Sequence, residues 1–189
     1  MTRTWVKALL LGTAAFVASP SLLPAGDEVG VFFDSEAEEN CIEAQQSAVL
    51  NAYLLLVEPS ASVAGWECSL EVENIFLLDM ILSGEATNFG SGDDYVVGLT
   101  YPLPASRAVQ LARMSVMVTG SDPAGFFILP TTFPSLDGTP AYADGSDPDI
   151  LLPMTPNTIG SNSLVAGINW PNCLPDEATW GRVKAMFYD

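Results

Sequence analysis

Trp66-Glu67-Cys68-Ser69-Leu70-Glu71-Val72-Glu73 alternates strictly. Successive side chains of a strand point to opposite faces. Trp66, Cys68, Leu70 and Val72 therefore share one face, and Glu67, Ser69, Glu71 and Glu73 the other. A pattern of period two cannot bury its apolar half as a helix, so this segment is committed to a strand covered on one side. Cys68 then points into the core as a small hydrophobe.

The rest of the chain extends this reading. Glu28–Asp34, Asp94–Tyr101, Phe126–Leu129 and Leu164–Trp170 are short β-type runs bounded by turn residues. Ala48–Val57 is apolar at nearly every position and reads as a strand covered on both faces, while Ile75–Leu82 carries a single acid, Asp79. Val109, Ala112 and Val116 fit a helical spacing. The same stretch, Ala108–Thr119, also alternates, and its β-branched end before Gly120-Ser121-Asp122-Pro123 favours a strand. Thr131–Asn157 is rich in Pro, Gly, Asp and Thr, which predicts loops around one or two small strands. The expected fold class is all-β: an antiparallel β-sandwich, jelly-roll or Ig-like, of roughly seven to ten strands. Trp180, Val183 and Phe187 at helical spacing predict a short C-terminal helix over 176–189, docked on the domain.

Residues 1–25 have the form of a secretory signal peptide. Arg3 and Lys7 precede an apolar run from Ala8 to Ala18, and small residues follow near Ser19 and Ala25. That run is too short to span a bilayer, so the expectation is removal, with no membrane insertion afterwards. The predicted division is signal peptide 1–25, sandwich 26–175 and terminal helix 176–189. The expected location is secreted, extracellular or at the cell surface. No cysteine stands at the cleavage site to carry a lipid anchor.

All 23 acidic residues follow the leader, so losing Arg3 and Lys7 takes the net charge from −17 to −19. Such a charge repels phosphate and excludes nucleic acid as a partner. It suits solubility, a cation or a basic partner. There is no histidine. The commonest general base, the commonest transition-metal ligand and the usual partner of a nucleophile are therefore missing, and only carboxylate chemistry is left to an enzyme. No phosphate-binding loop, dinucleotide fingerprint, CxxC pair or zinc motif is present. The sequence reads as non-enzymatic.

Three cysteines make an odd count. With Cys68 in the core, Cys41 and Cys173 read as loop cysteines, and a Cys41–Cys173 disulfide is expected, with Cys41–Cys68 the alternative. Asp144, Asp147 and Asp149 gather three carboxylates around Gly145, the ligand type that calcium takes, although the spacing is not that of an EF-hand. Turns require the same residues, so a solvated turn is the competing reading. Asp93-Asp94 and the Glu36, Glu38, Glu39 group are weaker versions of this cluster. Trp66, Trp170, Trp180, Tyr53, Tyr95 and Tyr101 are the aromatics that would stack on sugar rings if exposed. Arg182 and Lys184 read either as cations near a helix C-terminus or as a basic plug for an acidic neighbour.

From Ala52 to Ile128 the order of features resembles cohesin-type sandwiches and related carbohydrate-binding modules. The residues that carry it are Leu54-Leu55-Leu56-Val57-Glu58-Pro59-Ser60, Val63-Ala64-Gly65-Trp66, Leu111-Ala112-Arg113-Met114-Ser115-Val116 and Pro123-Ala124-Gly125. The resemblance covers under half of the expected mature chain and implies the sandwich. The ending Thr179-Trp180-Gly181-Arg182-Val183-Lys184 is similar to tails of uncharacterised secreted proteins of environmental bacteria. The expected function is a structural or protein-interaction domain of a bacterial exterior, acting through a protein partner or self-association. A carbohydrate-binding module, calcium-supported or not, is the second reading, and an acid-only hydrolase the third. Of the two most apolar runs, whichever lies at a sheet edge would invite pairing with another chain.

Overall fold

The computed structural model describes residues 26–159 and 163–171. The expected leader, the expected terminal helix and Cys173 lie outside the described residues. The strands are β1 (Glu28–Phe32), β2 (Cys41–Ile42), β3 (Val49–Val57), β4 (Val63–Glu73), β5 (Ile75–Leu82), β6 (Ala86–Asn88) and β7 (Asp94–Leu103). After them come β8 (Ala108–Val118), β9 (Ala124–Leu129), β10 (Ala141–Asp144), β11 (Leu151–Pro153), β12 (Thr155–Pro156) and β13 (Leu164–Ile168). This exceeds the expected strand count because β2, β6, β11 and β12 are pieces of two or three residues. Ala108–Val118 is a strand, as its alternation indicates.

Two sheets face one another. The smaller runs in the order β12-β1-β3-β8-β5. The larger runs β11-β10-β4-β9-β13-β2, with β7 also on β4 and β6 on β7. Pairing is antiparallel except for β1 with β12 and β13 with β2. β4 organises the larger sheet. One of its edges takes β7 along Val63–Ser69, and the other takes β10 along its first half and β9 along its second. It passes to the smaller sheet through one residue, Asn74, at φ +56°. Asparagine tolerates that left-handed conformation, and the crossing is thereby made in a single step. Asn74 Nδ2 also donates to Pro123 O at 2.8 Å, closing this end of the sandwich.

The core lies between the sheets. Val29, Val31, Ala52, Leu54, Leu56 and Val116 of the smaller sheet meet Trp66, Cys68, Leu70, Phe126, Ile128 and Tyr142 of the larger. Phe33 packs edge-on against Phe126 at 6.2 Å, and Trp66 stacks on Tyr95 at 6.1 Å. The Tyr142 hydroxyl donates to the Asp27 carboxylate, which also accepts from Ser60 N at 2.8 Å. This fastens the start of the described chain to β10. Burial, then the hydrogen bond to Asp27, pushes the Tyr142 phenol up from its ordinary value.

Two expectations are corrected. β3 is covered on both faces only in its second half: Leu54, Leu55 and Leu56 are buried while Val49 and Asn51 are exposed. Among the described residues no strand crosses outside the first half, and its outward residues Val49 and Asn51 are exposed. Cys41 lies not in a loop but in β2, opposite Gly167 of β13. A two-residue strand has no periodicity of its own, and a neighbour distant in sequence creates it.

Cys68 is free and buried. Desolvation, with the nearby Asp94 and Glu67 charges adding, pushes its thiol up to about 12. The thiolate is the reactive form, so this cysteine is inert in the folded chain. A thiol reagent at neutral pH should leave Cys68 unmodified in the native protein and label it once denaturant is added, as read by peptide mass. Rapid native labelling would place it elsewhere.

Candidate interaction surface

On β4 the face opposite the core carries Glu67, Ser69, Glu71 and Glu73, as the alternation requires. Glu67 is nevertheless only 7% exposed. The cause is a segment far along the chain. After β9, residues 130–140 run across the outer surface of the larger sheet. Ser135 N donates to Glu67 Oε1 at 2.6 Å and Ser135 Oγ to Oε2 at 2.8 Å. Beside them Thr132 N donates to Asp94 Oδ2 at 3.0 Å. Two carboxylates from adjacent strands thus hold one loop by charge-assisted hydrogen bonds, the stronger kind. Hydrogen bonding with Thr132, and then with Ser69, keeps the Asp94 carboxyl below the usual carboxylate range.

Between these anchors sits Phe133, 89% exposed. A second aromatic comes from the β6–β7 connection. Asn88 Oδ1 accepts from Gly90 N at 2.9 Å and Val96 N at 3.0 Å, while Phe89 N donates to Val96 O at 2.8 Å. This geometry sends the Phe89 side chain over the outer face, 73% exposed, with its ring edge 3.4 Å from where a Cβ on Gly98 would stand. Gly98 leaves room for the ring.

The floor beside Phe89 is nearly bare of side chains. Gly98 of β7, Gly65 of β4, Ala143 of β10 and Leu151 of β11 register as one row across four strands. The next row is Val96, Glu67, Ala141 and Pro153. Gly65, Glu67 and Ala141 of these rows are buried, with residues 130–140 held on Glu67, while Phe89, Phe133, Val96 and Leu151 are exposed, so the outer side of the larger sheet shows solvent an apolar patch over a covered floor. It is a surface rather than a cleft and suits a macromolecule better than a small substrate.

The sequence-derived candidates fall elsewhere. Asp144 Oδ1 accepts from Ser146 N at 2.7 Å and Ser146 Oγ at 2.8 Å, and these bonds hold its carboxyl below the usual range. Asp147 Oδ1 accepts from Asp149 N at 3.3 Å. The Asp144 and Asp147 carboxylates are engaged with their own turn, and no three such side chains gather to hold a metal among the described residues. Of the expected sugar-stacking aromatics, Trp66 is buried, Tyr53 and Tyr95 are partly buried and Tyr101 is exposed. Trp170 packs edge-on to Phe127 at 6.3 Å. Phe89 and Phe133 were not singled out by spacing. Their signal is composition, because each is a large aromatic flanked by turn residues, in Asn88-Phe89-Gly90 and Thr132-Phe133-Pro134, with no strand to bury it.

No protein-family model matches the chain, and no curated protein does. Solved structures to which the chain is similar include cohesin domains. The sixth cohesin of Acetivibrio cellulolyticus scaffoldin B, solved with a dockerin, is 12% identical at TM-score 0.48, covering 75% of this chain and 96% of its own. A type II cohesin from the cellulosome of the same organism is 10% identical at TM-score 0.48, covering 73% and 94%. A non-cellulosomal cohesin from Archaeoglobus fulgidus is 10% identical at TM-score 0.40, covering 68% and 86%. At this distance their partners do not transfer to this chain, and the surface is argued from its own geometry.

Glu67→Ala removes the acceptor for both Ser135 donors and should cost about 1–3 kcal/mol, read as a lowered urea midpoint with faster amide exchange across 131–136. An unchanged midpoint and exchange would mean that the loop is held by other contacts. The Asp94 anchor has a definite pH sign. A carboxyl lower in the folded than in the unfolded state adds stability that is present above its unfolded pKa. That stability is lost as pH falls through the folded value. The Thr132 amide should therefore keep its neutral-pH position through the ordinary carboxylate range and move with Asp94 only below it, as followed by NMR titration. In Asp94→Asn that step should vanish.

Proposed function

We propose that this chain is a secreted, non-enzymatic protein-interaction module of a bacterial cell exterior, presenting the outer face of its larger sheet to a protein partner. The observation that carries the reading is the display of Phe89 and Phe133 in solvent by hydrogen-bonded loops that would serve packing just as well without aromatic tips. Large exposed aromatics on a rigid face are the residues that dominate binding energy in protein contacts. The exposed Glu71 and Glu73 of β4 and Asp93 of the loop before β7 favour a partner with basic groups at its rim, where opposite charge speeds encounter and selects among partners. The secretory form of residues 1–25 supports an exterior location. The Cys41–Cys173 disulfide belongs to the same proposal: β2 lies against β13, and the chain from β13 has reached Pro171 two residues before Cys173.

In cell-surface and culture extracts of the producing organism, the mature chain should retain a defined partner. The Phe89→Ala, Phe133→Ala double variant should retain at least tenfold less, as loss of two hot-spot aromatics predicts, at an unchanged melting temperature. Equal retention by both proteins would refute the surface. Binding to insoluble polysaccharide that disappears in the same variant would instead establish the carbohydrate-binding reading. Intact mass and thiol counting after denaturation should give one free thiol per chain; three would remove the disulfide.

A further inference from the structure

The smaller sheet leaves an edge strand bare among the described residues. β5 pairs only with β8, and Phe76 is 58% exposed. Register across β5, β8 and β3 sorts the outward residues into three rows. Phe76, Met117 and Val49 form an apolar row nearest Asn74. Asp79, Ser115 and Asn51 follow, then Ile81, Arg113 and Tyr53. Leu78 is an extra residue at a bulge between the first two rows.

The described chain ends at Pro171, at the same end of the sandwich. Trp170 and Pro171 line an open groove of about 470 Å³ with Glu73, Asn74, Asp122 and Pro123. Asn74 leads directly into Ile75 and Phe76. From Pro171 to Trp180 there are enough residues to span up to about 30 Å when extended, against a sheet separation of about 10 Å.

We propose that the C-terminal segment 176–189 docks as a helix on this outer face of the smaller sheet, entering through the groove and running along β5 and β8. Trp180, Val183 and Phe187 share a helical face. At about 1.5 Å per residue, Trp180 to Asp189 covers about 14 Å. Phe76 to Ile81 covers a comparable length of strand, about 15 Å. The order of chemistry then agrees row by row. Trp180 meets Phe76, Met117 and Val49. Lys184 comes level with Asp79. Phe187 meets Ile81 and Tyr53, and Asp189 reaches Arg113. Lys184, on the same helical face as Trp180 and Phe187, would sit against Asp79, the one acid of these three rows. The docking also covers the exposed apolar side chains beside the bare edge, leaving the larger sheet as the partner-facing side.

Hydrogen exchange by mass spectrometry on the full mature chain tests this from both sides. Phe76→Ser should speed exchange in 176–189 about tenfold, and Trp180→Ala should speed exchange in 75–82 to a similar degree. Both residues tested lie at the proposed contact, and Phe76 is exposed enough for its loss to leave the fold intact. Asp79→Lys should loosen 176–189, and adding Lys184→Glu should restore its protection. Indifference of each segment to changes in the other overturns the proposal. So does protection that appears only at concentrations where light scattering reports a dimer, because a second copy would then be the occupant.

Discussion

The two hydrogen-bonded edges of β4 are the constraint from which the rest of this structure follows. An eleven-residue strand with β7 on one side and β10 and β9 on the other has no freedom to shift register. A slip of one residue would send Trp66, Cys68 and Leu70 to the outside and four polar residues inward. The core and the interaction face are therefore two sides of one decision. Burial of Trp66, Cys68 and Leu70 places Glu67 on the outer surface, opposite Val96 and two residues from the partner of Asp94.

What Glu67 then does is unusual for an outward acid. Burying a carboxylate costs free energy unless its lone pairs are satisfied. Here both oxygens accept from Ser135, so the loop is held and the charge is satisfied by the same contacts. The same loop carries Phe133 to the surface. Packing and display are coupled: the polar face of β4 is what allows an apolar side chain to be offered to solvent in a fixed place.

Much of this was legible in the sequence. The alternation at Trp66–Glu73 gave both faces of β4, the inward Cys68 and the all-β class, because period two survives only in a strand. The ambiguous stretch at Ala108–Val118 resolved correctly on its β-branched end. β2 and β6 were not legible, since two or three residues carry no period and exist only through neighbours more than a hundred residues away or across a turn. Nor was the burial of Glu67, which depends on Ser135, nor the half-exposed course of β3, which depends on what fails to cover Val49. The acids at 144–149 illustrate the reverse: a pattern that fits a cation also fits a turn, and local hydrogen bonds to Ser146 account for Asp144.

The central claim is that two carboxylates pin residues 130–140 to the larger sheet and so fix Phe133 in place. Residue-resolved amide exchange of the mature protein at neutral pH measures this directly, at Thr132 and Ser135. The account predicts that both amides are protected well above their unfolded rates, as members of the sheet rather than of a free loop. Exchange of both at unfolded rates, with the neighbouring strands still protected, would contradict it.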